Sequence, residues 1–300
     1  NTKWIHETGC ICPNAETVCY TNSLNNGRHD GLGNFIIEAR KDNPACGQPY
    51  SSARMTTQWT FTQTYGKWEG RMKMPIGPNG SGINTSRGYW PAFWMLGAHI
   101  GSVGWPACDE IDIMEAVGQE TNRIHGSAHG PGYSGGASKT GAYTFCCGEE
   151  TKDNYHVYGI EWEPAQIRYY VDGNLYYSFT PADLGGNAWV FNTPNFLILN
   201  FAIGGTWPGA PDVNSIFPAQ MQVDWVRVYQ DASYQLPYTT AIPIQGRVQL
   251  ENYDNGGYGL AWKDSDPGNT GGAYRTDGHE LRGGARAAAA ADYQSWRPGS

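Results

Sequence analysis

Period-two alternation constrains this chain more than any other feature. In "KWEGRMKMP" (67–75) Trp68, Gly70, Met72 and Met74 fall on one face, and Lys67, Glu69, Arg71 and Lys73 on the other. Side chains that alternate in this way belong to a half-buried strand. Similar short runs recur along the chain, separated by Gly, Pro, Asn and Asp, while helical periodicity is scarce before residue 285. Many short strands with frequent turns predict an all-β sandwich or barrel. "IRYYVDGNLYYSF" (167–179) reads as a hairpin turning at Asp172-Gly173. "NFLILNFAIGG" (195–205) places Leu197, Leu199, Phe201 and Ile203 on an apolar face and Phe196, Ile198, Asn200 and Ala202 on the other. "MQVDWVRVYQ" (221–230) reads as the strand that closes the domain.

Against that frame, "CDEIDIMEAV" (108–117) is unusual. Asp109, Glu110, Asp112 and Glu115 crowd like charges into a chain that is only 16% charged. Flanking Gly and Pro, with Ile at 111 and 113, make it a strand. Glu110 and Asp112 then share a face. Glu115 is five residues from Glu110, so a regular strand would turn it toward the isoleucines. A β-bulge between 112 and 115 restores the parity, with Met114 the natural extra residue. Five residues span about 16 Å when extended, less when bulged and curved. Carboxyl groups roughly 5–5.5 Å apart suit a retaining glycosidase, and about 6.5–9.5 Å an inverting one. Neighbouring carboxylates raise one another's pKa, so one can stay protonated while another is ionised. A solvated acidic edge or a calcium site are the competing readings of the same cluster.

Aromatic residues stand close by in sequence. In "GYWPAFWMLG" Trp90 and Trp94 share one face and Phe93 and Met95 the other; Trp105 precedes the carboxylates, and Trp207 sits on the "GGTWPG" turn. Flat indoles stack well on sugar rings, although many tryptophans simply pack cores. The formal net charge of −8 offers no electrostatic footprint for nucleic acid or an anionic membrane. No run reaches the ~18 apolar residues of a membrane span. The start at "NTKWIHETG", without a basic-then-apolar leader, leads to the expectation that any signal peptide has been removed. Seven cysteines without zinc-site spacing predict a secreted protein with one or two disulfides of unread connectivity. The odd number leaves at least one thiol over.

After Gln230 the character changes. Residues 231–245 read as a linker with two prolines, and 246–275 as short β segments with Gly-rich turns. The alanine-rich remainder is expected to be mobile.

"WPAFWMLG", "GWPACDEIDIMEAVG", "HVYGIEWEPAQIRYYVDG", "LNFAIGGTWPG" and "VDWVRVYQ", in this order, resemble glycoside hydrolase family 16, in its bacterial laminarinase (endo-β-1,3-glucanase) form, over about residues 4–230. The resemblance implies a β-jelly roll with a concave cleft and retaining hydrolysis. It implies that Glu110 is the nucleophile, Asp112 its assistant and Glu115 the acid/base. It places Glu69 and Arg71 in the cleft, Trp90, Trp94, Trp105 and Trp207 as sugar platforms, Asn200 as a hydroxyl partner and His129 near the acid/base. No cofactor is implied for catalysis. Some members bind a structural calcium through an aspartate matching Asp224. The "DEF" strand that helps bind it, ahead of the position of Trp4, does not precede Trp4 here, which weighs against calcium. Residues 246–275 resemble the start of a family 6 carbohydrate-binding module, so 246–300 is read as an incomplete module.

The expected partner is a β-glucan, with the protein a monomer and neither nucleic acid nor membrane involved. Other polysaccharides (mixed-linkage glucan, agar, carrageenan) and transglycosylation are neighbouring readings. A non-catalytic β-glucan-binding protein is the competing class, disfavoured by the presence of all three carboxylates.

Overall fold

The alternation resolves into two antiparallel sheets in a computed structural model that describes residues 3–44 and 46–230. The expected linker, incomplete module and tail lie outside the described residues. The first sheet runs β1 (Ile5–Glu7), β6 (Arg54–Thr56), β15 (Asn195–Ile203), β8 (Tyr89–Gly97), β9 (Glu110–Glu115), β10 (Arg123–His129) and β11 (Lys139–Thr144). The second runs β14 (Asn174–Phe179), β13 (Gln166–Val171), β12 (His156–Glu163), β7 (Gly66–Lys73), β16 (Ala219–Tyr229), β4 (Phe35–Ala39) and β3 (Gly27–His29). A parallel pair, β2 (Val18–Tyr20) with β5 (Tyr50–Ser52), stands beside them. This is the sandwich of the two architectures that the turn-rich alternation predicts, and it agrees with the jelly roll that the resemblance implies.

The core lies between the inner faces. β7 alternates buried and half-buried at every position, as its sequence requires. Its Trp68 and Met72 are buried with Trp162, Tyr158 and Tyr169 of the same sheet and Phe93, Met95 and Ile111 of the other. Gly70 is required where the sheets meet: a Cβ there would stand 3.0 Å from the Phe93 ring and 2.3 Å from Met72. The hairpin between β13 and β14 turns at Asp172 and Gly173, both with positive φ (50° and 78°), the conformation of a tight two-residue turn. β16 closes the described chain from the middle of its sheet, between β7 and β4.

β15 departs from simple alternation. All nine residues are buried, because its second face is also covered. Phe196 and Ile198 pack there with Leu96 and Cys108 against Trp94 and Ile100. Cys19 and Cys46 form a disulfide, within the expected one or two; Cys10, Cys12, Cys108, Cys146 and Cys147 are free.

Candidate active site

β9 lies in the first sheet between β8 and β10. Glu110 pairs across the sheet with Leu96 and His129, Asp112 with Trp94 and Ser127, and Glu115 with Ala92 and His125. Directly opposed residues point to the same face. Glu110, Asp112 and Glu115 therefore emerge together, on the face turned away from the core, with Trp94, His125, Ser127 and His129.

Parity is restored by a register shift, as the spacing predicts. Its unpaired residue on the β8 side is Ile113, not Met114: Met114 pairs with Phe93, and Asp112 with Trp94. Ile113 and Met114 are both buried. Gly126 on β10 lies where that ladder shifts as well. A Cβ at Gly126 would stand 2.4 Å from the Tyr169 ring, so a bare backbone is needed opposite the bulge.

Each carboxylate has its own partners. Trp105 Nε1 donates to Glu110 Oε2 at 3.0 Å, and Trp90 Nε1 to Glu115 Oε1 at 2.9 Å. His129 Nε2 lies 3.0 Å from Asp112 Oδ2 and 3.7 Å from Glu110 Oε1. Its Nδ1 accepts the Gly135 backbone N–H at 3.0 Å, so a neutral His129 carries its proton on Nε2, facing the carboxylates. Donor atoms of Glu110, Asp112 and His129 all lie within 4.8 Å of one another, the only such trio among the described residues.

This crowding moves proton affinities upward. Burial, then the Asp112 charge, pushes Glu115 up to about 8. Burial pushes Asp112 up to about 8, against a hydrogen bond with Glu110. Burial and Asp112 together raise Glu110 well above the usual carboxylate range, while His129 and the Trp105 N–H act in the opposite direction. Coupled groups of this kind titrate as a set. Asp109, the fourth acid of the segment, does not join them. It is fully buried with positive φ (64°), accepts from Asn195 Nδ2 at 2.5 Å and from Thr193 Oγ1 at 3.3 Å, and is pushed by burial to about 8.

The predicted tryptophans assemble around the carboxylates. Trp90 meets Trp207 edge-on at 5.7 Å, and Trp105 lies 6.0 Å from the His129 ring. Trp94 Nε1 donates to Asn200 Oδ1 at 2.7 Å. Asn200 is buried and also donates to the Tyr20 hydroxyl at 3.1 Å, so its place is beneath Trp94, fixing the indole.

Glu69 and Arg71 are not brought to this group. They lie on β7 of the second sheet, at the parity opposite buried Trp68, Gly70 and Met72, and so on that sheet's outer face. Lys67 pairs with Glu69 at 2.7 Å, and Arg71 with Asp224 at 2.5 Å. Alternation put them on a polar face correctly; which of the two sheets carries the cleft is not a local property. Arg71 thus holds one carboxylate oxygen of Asp224, the aspartate that the resemblance connects with calcium.

Three residues at the site went unselected in the sequence. His125 faces Glu115 across the ladder, its Nε2 2.8 Å from Glu120 Oε2 and its ring edge-on to Trp207 at 5.0 Å. Arg54 lies over the Trp94 ring at 4.9 Å. Ser127 stands opposite Asp112. The signal for His125 and Ser127 was their place four and two residues before His129 in "IHGSAHG", at every second position of one strand.

Comparison with known proteins gives the family and the fold. Residues 15–227 match the family described as glycosyl hydrolases family 16. A β-glucanase of Rhodothermus marinus is 38% identical over 239 residues, covering 76% of this chain and 79% of the relative. The laminarinase catalytic domain of Thermotoga maritima superposes with a TM-score of 0.69 at 44% identity, covering 76% of this chain and 91% of that one. An endo-β-1,3-glucanase of Pyrococcus furiosus gives 0.69 at 41% identity, with 76% and 88% covered.

Proposed function

The chain belongs to family 16 of the glycosyl hydrolases, and from that premise we propose that it cleaves β-1,3-glucan internally, with retention, through a covalent glycosyl-enzyme intermediate. The observation that carries this reading is the bulged β9, which turns Glu110, Asp112 and Glu115 to one face and gives two of them an indole N–H. The similarity to laminarinases supplies the substrate class.

In the first step the ionised Glu110 attacks the anomeric carbon while the protonated Glu115 gives its proton to the departing glycosidic oxygen. The products are a glycosyl ester on Glu110 and a free sugar hydroxyl. In the second, Glu115 takes a proton from water, the resulting hydroxide attacks the anomeric carbon, and Glu110 leaves as carboxylate. A Glu115 pushed to about 8 is protonated at neutral pH, as an acid must be. Glu110 is pushed the wrong way for a nucleophile. Its hydrogen bond with Asp112 resolves this, because one proton shared by the pair leaves one negative charge. As sugar enters, Asp112 keeps the proton and Glu110 the charge. His129, with its Nε2 proton facing both, favours that charge. Both chemical roles are filled by side chains of the protein, so the reading requires no cofactor. The Cys19–Cys46 disulfide suits an oxidising compartment, and we place the protein outside the cell as a monomer.

Reducing-end release from laminarin and from lichenan, side by side, tests the reading, with Glu110→Gln as control. Release from laminarin that the variant loses is expected. Release from lichenan alone would keep the chemistry and overturn the specificity. Azide should rescue Glu115→Ala on a substrate with a good leaving group, giving a β-glycosyl azide; an α product would overturn retention.

A further inference from the structure

Three tryptophans are exposed among the described residues. Two of them, Trp105 and Trp207, belong to the carboxylate cluster, and the third, Trp59, is the most exposed at 84%. Trp59 is held in a left-handed conformation, φ 74°, which a bulky side chain adopts only where the surrounding structure imposes it. That structure is a tight turn: the Thr60 and Phe61 N–H groups both donate to Thr57 O, at 3.0 and 2.9 Å, and Thr57 Oγ1 donates to Phe61 O at 2.9 Å. The turn thus presents a flat indole to solvent at a conformational cost, where a glycine would sit without strain.

Beside the indole is a cavity of about 330 Å³ lined by Gln58, Trp59, Thr60, Phe61, Thr62, Ala98 and Phe196. Among the described residues no hydrogen bond engages the Gln58 side-chain amide, the Thr62 hydroxyl or the Trp59 indole N–H. An exposed ring beside unengaged amide and hydroxyl groups is the chemistry that receives a sugar: the ring stacks on its C–H face and the rim takes its hydroxyls. The pocket is not part of the cleft around Glu110. Phe196 belongs to the apolar cluster with Leu96, Cys108 and Ile198, and Leu96 is the residue paired with Glu110. That cluster stands between the two sites.

We propose that Trp59 and this pocket form a second carbohydrate-binding site, which holds a distant stretch of the same β-glucan polymer while the cleft cleaves elsewhere. The proposal rests on the substrate class proposed above. Two contacts with one polymer raise the effective concentration of glucan at the cleft, a gain open to long or insoluble chains and not to short oligosaccharides.

Two variants test it, Trp59→Ala and Trp59→Gly; the glycine suits the backbone, so loss of fold is not at issue. In an inactive Glu110→Gln background, binding to insoluble β-1,3-glucan should weaken at least about fivefold when the ring is removed. In the active protein, kcat/KM on a soluble pentasaccharide should stay within about twofold, while release from insoluble glucan falls. Unchanged binding to insoluble glucan would overturn the site, as would an equal loss on the pentasaccharide, which would make Trp59 part of the cleft. A concentration-dependent dimer that Trp59→Ala dissolves would assign the ring to a second copy instead, and overturn the proposal. Hydrolysis of the pentasaccharide by the unmodified protein keeps the proposed function standing whatever Trp59 does. Without glucan hydrolysis or glucan binding, both readings fall.

Discussion

The outer faces of the two sheets are built from the same alternation, yet the acids of β9 on the first and those of the second do opposite things with charge. On the second sheet the acids meet cations. Arg168 binds Glu161 at 2.8 Å and Glu163 at 2.5 Å, and Arg71 binds Asp224 while lying over the Tyr155 ring at 4.7 Å. On the first sheet Glu110, Asp112 and Glu115 meet one another, two indoles and one imidazole. Charges paired with guanidinium groups make a stable surface. Charges left to repel one another in a half-enclosed cleft take up protons and become reagents.

The largest test of that contrast is catalytic. Glu110→Gln should lower kcat on laminarin by roughly 10⁴-fold or more, since it removes the attacking group. Glu69→Gln and Arg71→Ala, on the other sheet, should leave kcat within about twofold, because residues far from the reacting atoms carry no differential binding of the transition state. A comparable loss in Arg71→Ala would break the comparison outright. Glu115→Ala comes next, with a loss of about 10²–10⁴-fold, as expected for general acid–base catalysis.

Asp112→Asn sharpens the electrostatic side. The Asp112 charge raises both Glu110 and Glu115, so its removal should move both limbs of the pH–rate profile toward acid. A profile that only loses height would show that Asp112 positions without tuning. Stability supplies a smaller effect. Glu115 titrates near 4.5 when unfolded and near 8 when folded. Between those values the folded state holds a proton that the unfolded chain releases, so stability falls as pH rises through the window. Glu115→Gln should therefore raise Tm at pH 8 and leave it unchanged at pH 4, at roughly 2–4 °C per kcal/mol for a domain of this size. The smallest effect belongs to the paired face. Arg71→Ala, which breaks a half-exposed pair with Asp224, should cost about 1 kcal/mol or less and respond to added salt. Both effects are read by thermal melts at two pH values and two salt concentrations.

Much of the site was legible in local patterns. Period two fixed the faces of β7, β8 and β9, and the odd spacing of Glu110 and Glu115 required a bulge before any coordinate was known, because a strand's side chains can change face only by an extra residue. The Asp172-Gly173 turn was equally local, being set by two residues that tolerate positive φ. Other features depended on neighbours distant in the chain. Whether the bulge leaves Ile113 or Met114 unpaired was decided by Phe93 across the ladder. The place of Asn200 was decided by Trp94 and Tyr20, which take its amide. Glu69 and Arg71 read as polar-face residues, but a sandwich has two outer faces, and alternation does not distinguish them. By itself the sequence determined which residues point away from the core, since that follows from the geometry of one strand. The tertiary structure alone decided which outward acids meet guanidinium and which meet one another, because charge pairing across strands depends on which strands become neighbours.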